Sequence, residues 1–246
     1  MDIPIIELTG LTKKYGKFTA VDNLDLTIYK GEVFGFLGPN GAGKSTTILM
    51  MLGMTEPTHG IVNVCGINAT TNPIKVKKKV GYLPEDVGFY DQMKGIENLC
   101  YTAQLNGRSG QEAVQKASRL MEQVGLSEQL KKKTGKYSKG MRQRLGLADV
   151  LIKDPEVVIL DEPTTGIDPA GVREFIGLIR YLSRENGLTI LFSSHHLDQA
   201  QQVCDRVGLF NEGKLLTIAD INAVNKHGMS LVDMYNHYFE GGSIDE

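Results

Sequence analysis

Two rhythms of apolar and polar positions divide the chain. In Ile5-Ile6-Glu7-Leu8 and Leu24-Asp25-Leu26-Thr27-Ile28 the two kinds of residue alternate, the period of a strand with one face buried. The turn pair Lys30-Gly31 then leads into Val33-Phe34-Gly35-Phe36-Leu37, an apolar run. Ile61-Val62-Asn63-Val64-Cys65-Gly66 and Lys79-Val80-Gly81-Tyr82-Leu83 read as further strands, the second stopped by Pro84. From about Asp91 to about Val150 the chain turns to Gln, Glu, Lys, Ala, Leu and Met, and Leu120, Val124, Leu145 and Val150 fall at helical spacing. Asp154-Pro155 closes that stretch. Val157-Val158-Ile159-Leu160 and Leu188-Thr189-Ile190-Leu191-Phe192 are unbroken buried-type runs, the pattern of parallel strands covered on both faces. Ala170 to Arg184 reads as the crossover helix between them. Asp205 to Phe210 and Lys214 to Thr217, around Asn211-Glu212-Gly213, read as a hairpin. The tail from Asp220 reads as an amphipathic helix that frays at Gly241-Gly242-Ser243.

Composition narrows the class. A chain of 246 residues, 41% hydrophobic and 23% charged, has the balance of a globular protein and room for one large domain or a core with an insert. A net charge of −2 argues against binding nucleic acid through overall charge. No run approaches the roughly 20 apolar residues needed to span a bilayer, and Met1-Asp2-Ile3-Pro4 lacks the pattern of a secretory signal. Cys65, Cys100 and Cys204 are widely spaced without a C-x-x-C pair, which reads as reduced core thiols of a cytosolic protein.

The chemistry centres on Gly38-Pro39-Asn40-Gly41-Ala42-Gly43-Lys44-Ser45-Thr46, between the Val33–Leu37 strand and a helix beginning near Thr47. Strand, glycine-rich loop and helix together make a phosphate-binding loop. Glycines let backbone N–H groups wrap a polyphosphate, the helix N-terminus adds positive potential, Lys44 reaches the β- and γ-phosphates, and the Ser45 hydroxyl can ligate Mg²⁺. The chain is therefore expected to bind a nucleoside triphosphate. A second apolar strand runs into Asp161-Glu162. Asp161 would hold Mg²⁺, and Glu162 would polarise an attacking water.

On these motifs the chain, from about Ile5 to about Thr217, resembles the nucleotide-binding subunits of ATP-binding cassette (ABC) transporters. Tyr15, in Lys13-Lys14-Tyr15-Gly16, matches the aromatic that the family stacks on adenine; a plain turn aromatic is the other role for it. Tyr137-Ser138-Lys139-Gly140-Met141 stands where the family has Leu-Ser-Gly-Gly-Gln, with Ser138 and Gly140 kept. There the resemblance implies contact with the γ-phosphate held by a second protomer. Lys139 either adds a cation near that phosphate or sits in solvent. Thr165-Gly166-Ile167-Asp168-Pro169 resembles the Ser-Gly-Leu-Asp-Pro loop, so Asp168 would span the dimer interface while capping the helix that follows. His195 matches the switch histidine, and His196 reads as solvent-facing or helix-capping. Glu85 replaces the usual Gln in Gly81-Tyr82-Leu83-Pro84-Glu85-Asp86, and a carboxylate there can still ligate Mg²⁺ or hold water. That departure resembles the ABC-2-type exporter branch.

The resemblance implies an α/β fold: a P-loop NTPase core, mostly parallel with an antiparallel β subdomain, plus an inserted α-helical subdomain. Residues 1–90 and 151–218 would form the core, 91–150 the helical insert with the signature loop, and 219–246 a helical tail. It also implies Mg-ATP as cofactor, catalysis by Glu162, His195 and Lys44, and a head-to-tail homodimer or heterodimer. An integral membrane transporter subunit would be the partner, with the chain peripheral on the cytoplasmic face of the membrane and no nucleic acid expected. Val87, Phe89, Tyr90, Met93 and Tyr101 are candidates for the docking surface, or else core of the helical insert. Lys75, Lys77, Lys78 and Lys79 read as a solvated face, with a membrane-surface contact as the alternative. The competing function is a soluble ATPase of the same superfamily acting on ribosomes or DNA. A nucleotide sensor without turnover is a third reading, opposed by Glu162, Lys44 and His195 all being present.

Overall fold

The computed structural model describes residues 3–226 and 230–240. Its centre is a six-stranded sheet in the order β10-β9-β3-β8-β7-β6. The strands are β3 (Val33–Leu37), β6 (Val80–Leu83), β7 (Val157–Asp161), β8 (Thr189–Ser194), β9 (Arg206–Asn211) and β10 (Lys214–Asp220). The first five run parallel to their neighbours, and β10 returns antiparallel along β9. In β3, β7 and β8 every residue is buried, which is why their middle residues are apolar without alternation. A second, antiparallel sheet has the order β2-β1-β4-β5, built from β1 (Pro4–Tyr15), β2 (Phe18–Tyr29), β4 (His59–Val64) and the two-residue β5 (Ile67–Asn68).

Two hydrophobic clusters hold these layers together. One joins the sheets: Ile6, Leu8 and Ile28 meet Phe34, Phe36 and Ile159, with Ile48, Met50 and Met51 of α1 (Lys44–Met51) between them. Burying each such side chain contributes about 1.5–3 kcal/mol. The other cluster covers the opposite face with α6 (Pro169–Asn186) and α7 (Leu197–Val203), and continues into α3 (Gly95–Leu105), α4 (Gly110–Gln123) and α5 (Lys139–Leu151). Leu120, Val124, Leu145 and Val150 all lie in this second cluster. Gly81 on β6 makes room for α5, since a Cβ there would stand 2.2 Å from Val150 Cγ1. The α/β class with a mostly parallel sheet, an antiparallel sheet and a group of helices is the architecture expected.

Some boundaries differ from the sequence reading. Lys79 ends a helix, α2 (Pro73–Lys79), and the strand starts at Val80. The basic run therefore lies on α2, where Lys75, Lys77 and Lys78 are exposed and Lys79 pairs with Glu156 at 2.6 Å. α7 and β5 were not anticipated, and β10 runs on to Asp220. The tail forms α8 (Ile221–Lys226) and α9 (Leu231–Glu240); the fraying expected at Gly241-Gly242-Ser243 lies outside the described residues. All three cysteines are free thiols, with Cys204 buried.

Candidate nucleotide-binding site

The glycine-rich loop joins the end of β3 to the start of α1, and neighbouring backbone presses on it. A Cβ at Gly38 would stand 2.2 Å from the Phe210 carbonyl oxygen. Gly43 has φ +98° and would bring a Cβ to 2.4 Å from the Ala20 carbonyl oxygen. Only glycine satisfies that combination of left-handed backbone and close approach. Lys44 is 6% exposed, and its ammonium donates to the carbonyls of Gly38 at 2.6 Å and Pro39 at 3.2 Å. A cavity of 270 Å³ opens here, lined by the loop from Pro39 to Thr46 together with Glu85, Asp161 and Glu162. Phe18 and Ala20 of β2 complete its wall.

The two carboxylates at the end of β7 have different surroundings. Asp161 is 7% exposed, and one of its oxygens accepts from the Tyr82 hydroxyl at 3.4 Å. Burial, and then the Asp161 charge, push the Tyr82 phenol up to about 12, so that it stays a donor. The other oxygen of Asp161 is buried with no hydrogen-bond partner. Glu162 adopts φ +47°, an uncommon backbone for a residue other than glycine, and its N–H donates to the Ser193 carbonyl on β8 at 3.1 Å. Its side chain is 12% exposed, with Oε1 3.5 Å from Lys44 Nζ and Oε2 2.9 Å from His195 Nδ1. The parallel pairing of Asp161 with Ser193 aligns the ends of β7 and β8, which is what lets His195 reach Glu162. The His196 ring lies 4.1 Å from that of His195.

A second group of expected residues does not line this cavity. Ser138 caps α5, its hydroxyl accepting from the Met141 N–H at 3.3 Å. Gly140 sits against Ile167, whose Cγ2 would be 3.2 Å from an added Cβ. Asp168 caps α6 by accepting from the N–H groups of Ala170 and Gly171 at 3.0 Å each, and the Gly171 bond leads in holding its carboxyl below the ordinary range. Lys139 lies along Gly166, with its ammonium 3.8 Å from Asp86. Tyr137, where the family pattern has Leu, is buried and donates its hydroxyl to the Gln129 carbonyl at 3.1 Å, so its role is packing. Glu85 connects the two groups: it lines the cavity, and its carbonyl accepts from Gln143 of α5 at 2.6 Å.

Tyr15 is half exposed, with Lys13 Nζ 5.0 Å from its ring centre. It faces Phe18 across the β1–β2 turn. Phe18 and Ala20 are wall residues that the sequence reading missed; the available signal was an aromatic three residues past Tyr15. Of the candidate docking residues, Tyr90 and Tyr101 are exposed, while Val87 and Phe89 pack against the core.

Among the described residues no cluster of three His, Cys, Asp or Glu side chains could hold a metal ion by itself. A Mg²⁺ ion shared with nucleotide phosphates would nevertheless fit these residues, because one buried oxygen of Asp161 has no hydrogen-bond partner in the fold.

A phosphate loop between a buried parallel strand and a helix, with Asp161-Glu162 ending a strand two places away in the sheet, defines the P-loop nucleoside triphosphatase class. Within it the chain belongs to the ABC transporter family, whose sequence pattern matches residues 21–165. It is 44% identical over 212 residues to the bacitracin transport ATP-binding protein BcrA of Bacillus licheniformis, covering 86% of this chain and 68% of that protein. It is 36% identical over 214 residues to the linearmycin resistance ATP-binding protein LnrL of Bacillus subtilis (strain 168), covering 87% and 68% respectively. Among solved structures it superimposes on cbiO1 from Clostridium perfringens, part of the ABC transporter complex cbiONQ. That match has a TM-score of 0.85 and 26% identity over 98% of this chain and 97% of the other.

Proposed function

We propose that this chain binds Mg-ATP, hydrolyses it, and uses the cycle to drive outward transport of a substrate through a separate membrane subunit. The observation that carries this reading is Glu162, a nearly buried carboxylate held between Lys44 and His195 at the wall of the phosphate-loop cavity. In that position Glu162 acts as the base toward water, His195 orients it, and Lys44 neutralises charge on the β- and γ-phosphates. Gly38 to Thr46 cradle the phosphates, while Tyr15 and Phe18 contact the base. Ser45, Asp161 and Glu85 hold Mg²⁺, which when bound neutralises phosphate charge.

Ser138, Gly140 and Asp168 lie off this cavity and serve a second copy or a related chain, closing on its γ-phosphate in a head-to-tail dimer. Residues 1–90 and 151–218 work as the ATPase core, 91–150 as the helical insert, and 219–246 as a tail. The surface after Glu85, with Tyr90 and Tyr101, receives the membrane subunit. Among the described residues no helix is long and apolar enough to cross a membrane, so this reading assigns the pathway to that partner and the chain to the cytoplasmic face. Relatives named for bacitracin transport and linearmycin resistance support the outward direction.

The test uses the Glu162→Gln chain, tagged in its native cells and extracted gently with detergent and Mg-ATP. A polytopic membrane protein in stoichiometric amount is the expected companion. Ribosomal or DNA-bound partners without any membrane protein would overturn the reading in favour of a soluble ATPase.

A further inference from the structure

Asp161 and Glu162 are neighbours at the end of β7, yet they are held by different kinds of group. Glu162 lies between two nitrogens, Lys44 Nζ at 3.5 Å and His195 Nδ1 at 2.9 Å. Asp161 is 7% exposed, and among the described residues its carboxylate has one hydrogen-bond partner, the Tyr82 hydroxyl, 3.4 Å from Oδ2. Its Oδ1 is buried without a partner. Lys44 directs its ammonium to Glu162 and to the carbonyls of Gly38 and Pro39.

Backbone pairing sets the contact between Tyr82 and Asp161. β6 and β7 run parallel with Tyr82 opposite Ile159. Residues two apart on a strand share a face, so Asp161 projects on the side that carries Ile159 and Tyr82. The Tyr82 ring packs against the cluster that contains Ile159 and Ile48, which limits its freedom to swing away. On the other flank Ser193 of β8 is paired with Asp161 and fully buried, but its hydroxyl has no partner and does not hold the carboxylate.

The type of partner matters for a metal. A Lys or Arg beside Asp161 would neutralise the carboxylate and compete with a divalent ion for it. A neutral hydroxyl fixes one oxygen and leaves the negative charge available at the other. Hydrogen-bonded partners of this kind orient a carboxylate ligand before the ion arrives, and so raise its affinity. The same strand end leads, three residues past Tyr82, to Glu85 at the cavity wall.

We propose that Tyr82 is a positioning residue of the metal site, its hydroxyl holding Oδ2 of Asp161 so that Oδ1 is presented to the Mg²⁺ ion that arrives with the nucleotide. The proposal rests on the reading above that Asp161 holds Mg²⁺, and adds the group that sets how tightly.

The test uses Mn²⁺ as the probe for Mg²⁺. Its affinity for the purified chain loaded with the non-hydrolysable analogue AMP-PNP is followed by electron paramagnetic resonance, and AMP-PNP affinity in EDTA is measured separately by calorimetry. The native complex should bind Mn²⁺ more tightly than free AMP-PNP does. Tyr82→Phe keeps the ring in its packing and removes the donor. It should weaken Mn²⁺ about 10-fold, toward the value of the free nucleotide, with AMP-PNP affinity in EDTA unchanged. Replacing Tyr82 by 4-aminophenylalanine, which carries an N–H donor at similar reach, should recover most of the loss. Asp161→Asn supplies the reference for a missing ligand. Mn²⁺ affinity that persists in Tyr82→Phe but falls in Asp161→Asn would overturn this proposal and leave Asp161 as the ligand. Affinity that persists in both would overturn the reading of Asp161 and this proposal with it. Equal losses of Mn²⁺ and of AMP-PNP in EDTA, not recovered by 4-aminophenylalanine, would make Tyr82 a packing residue and overturn the proposal as well.

Discussion

The phosphate-loop cavity and a groove of 310 Å³ lined by Tyr90, Tyr101 and Asp149 are both openings at the edge of one core, yet they are made of different material. The cavity is formed by consecutive backbone from Pro39 to Thr46 and by charges that are almost fully buried: Lys44, Asp161 and Glu162 are 6%, 7% and 12% exposed. The groove is formed by side chains from a loop and two helices, and Tyr90 and Tyr101 on its wall are 57% and 43% exposed. A site for a chemically constant ligand can be built from backbone and preorganised charge, because a triphosphate always offers the same groups. A site for a protein partner is written in exposed side chains, because the partner's surface is particular to each pair.

Breaking the backbone-and-charge region should have the larger consequences. Lys44→Ala removes the buried ammonium, and ATP affinity measured by calorimetry should fall by about 100-fold or more; unchanged affinity would remove the loop from phosphate binding. Phe18→Ala should be milder, weakening ATP about 3- to 10-fold, the range of one aromatic contact. Binding of inorganic tripolyphosphate should stay the same, since it has no base. A parallel loss for both ligands would make Phe18 a support of the fold, not a base contact.

The smallest effect belongs to the groove in the isolated chain. Burial raises the folded-state pKa of Asp149 above its unfolded value. Its contribution to stability is therefore fully present below the unfolded pKa and is lost as pH rises through the folded one. Asp149→Asn should accordingly match or slightly exceed the native chain in urea unfolding at neutral pH, and lose stability less as pH climbs out of the carboxylate range. A large loss at neutral pH would make Asp149 a structural residue and sharpen the contrast in the opposite direction.

The same division explains what could be read before the structure. β3, the phosphate loop and α1 are contiguous, so their order in the chain is their order in space. Asp161-Glu162 was legible for the same reason, at the end of an apolar run. Leu120, Val124, Leu145 and Val150 were legible because helical spacing marks a buried face. By contrast, α2 buries only Val76 and leaves no apolar period to detect. Phe18 reaches the cavity only through pairing with Tyr15 in a hairpin, and Asp149 meets Tyr90 and Tyr101 only where a loop and two helices converge. The apolar run ending in Asp161-Glu162 pointed to Glu162 and the family resemblance to His195, but their 2.9 Å contact depends on the alignment of β7 with β8.

The central claim is that Glu162 activates water at this cavity, and single-turnover hydrolysis of γ-labelled ATP by the purified chain tests it most directly. Glu162→Gln should bind Mg-ATP with the affinity of the native chain and hydrolyse it about 100-fold or more slowly. Hydrolysis within a few-fold of the native rate, with ATP bound equally well, would contradict the account.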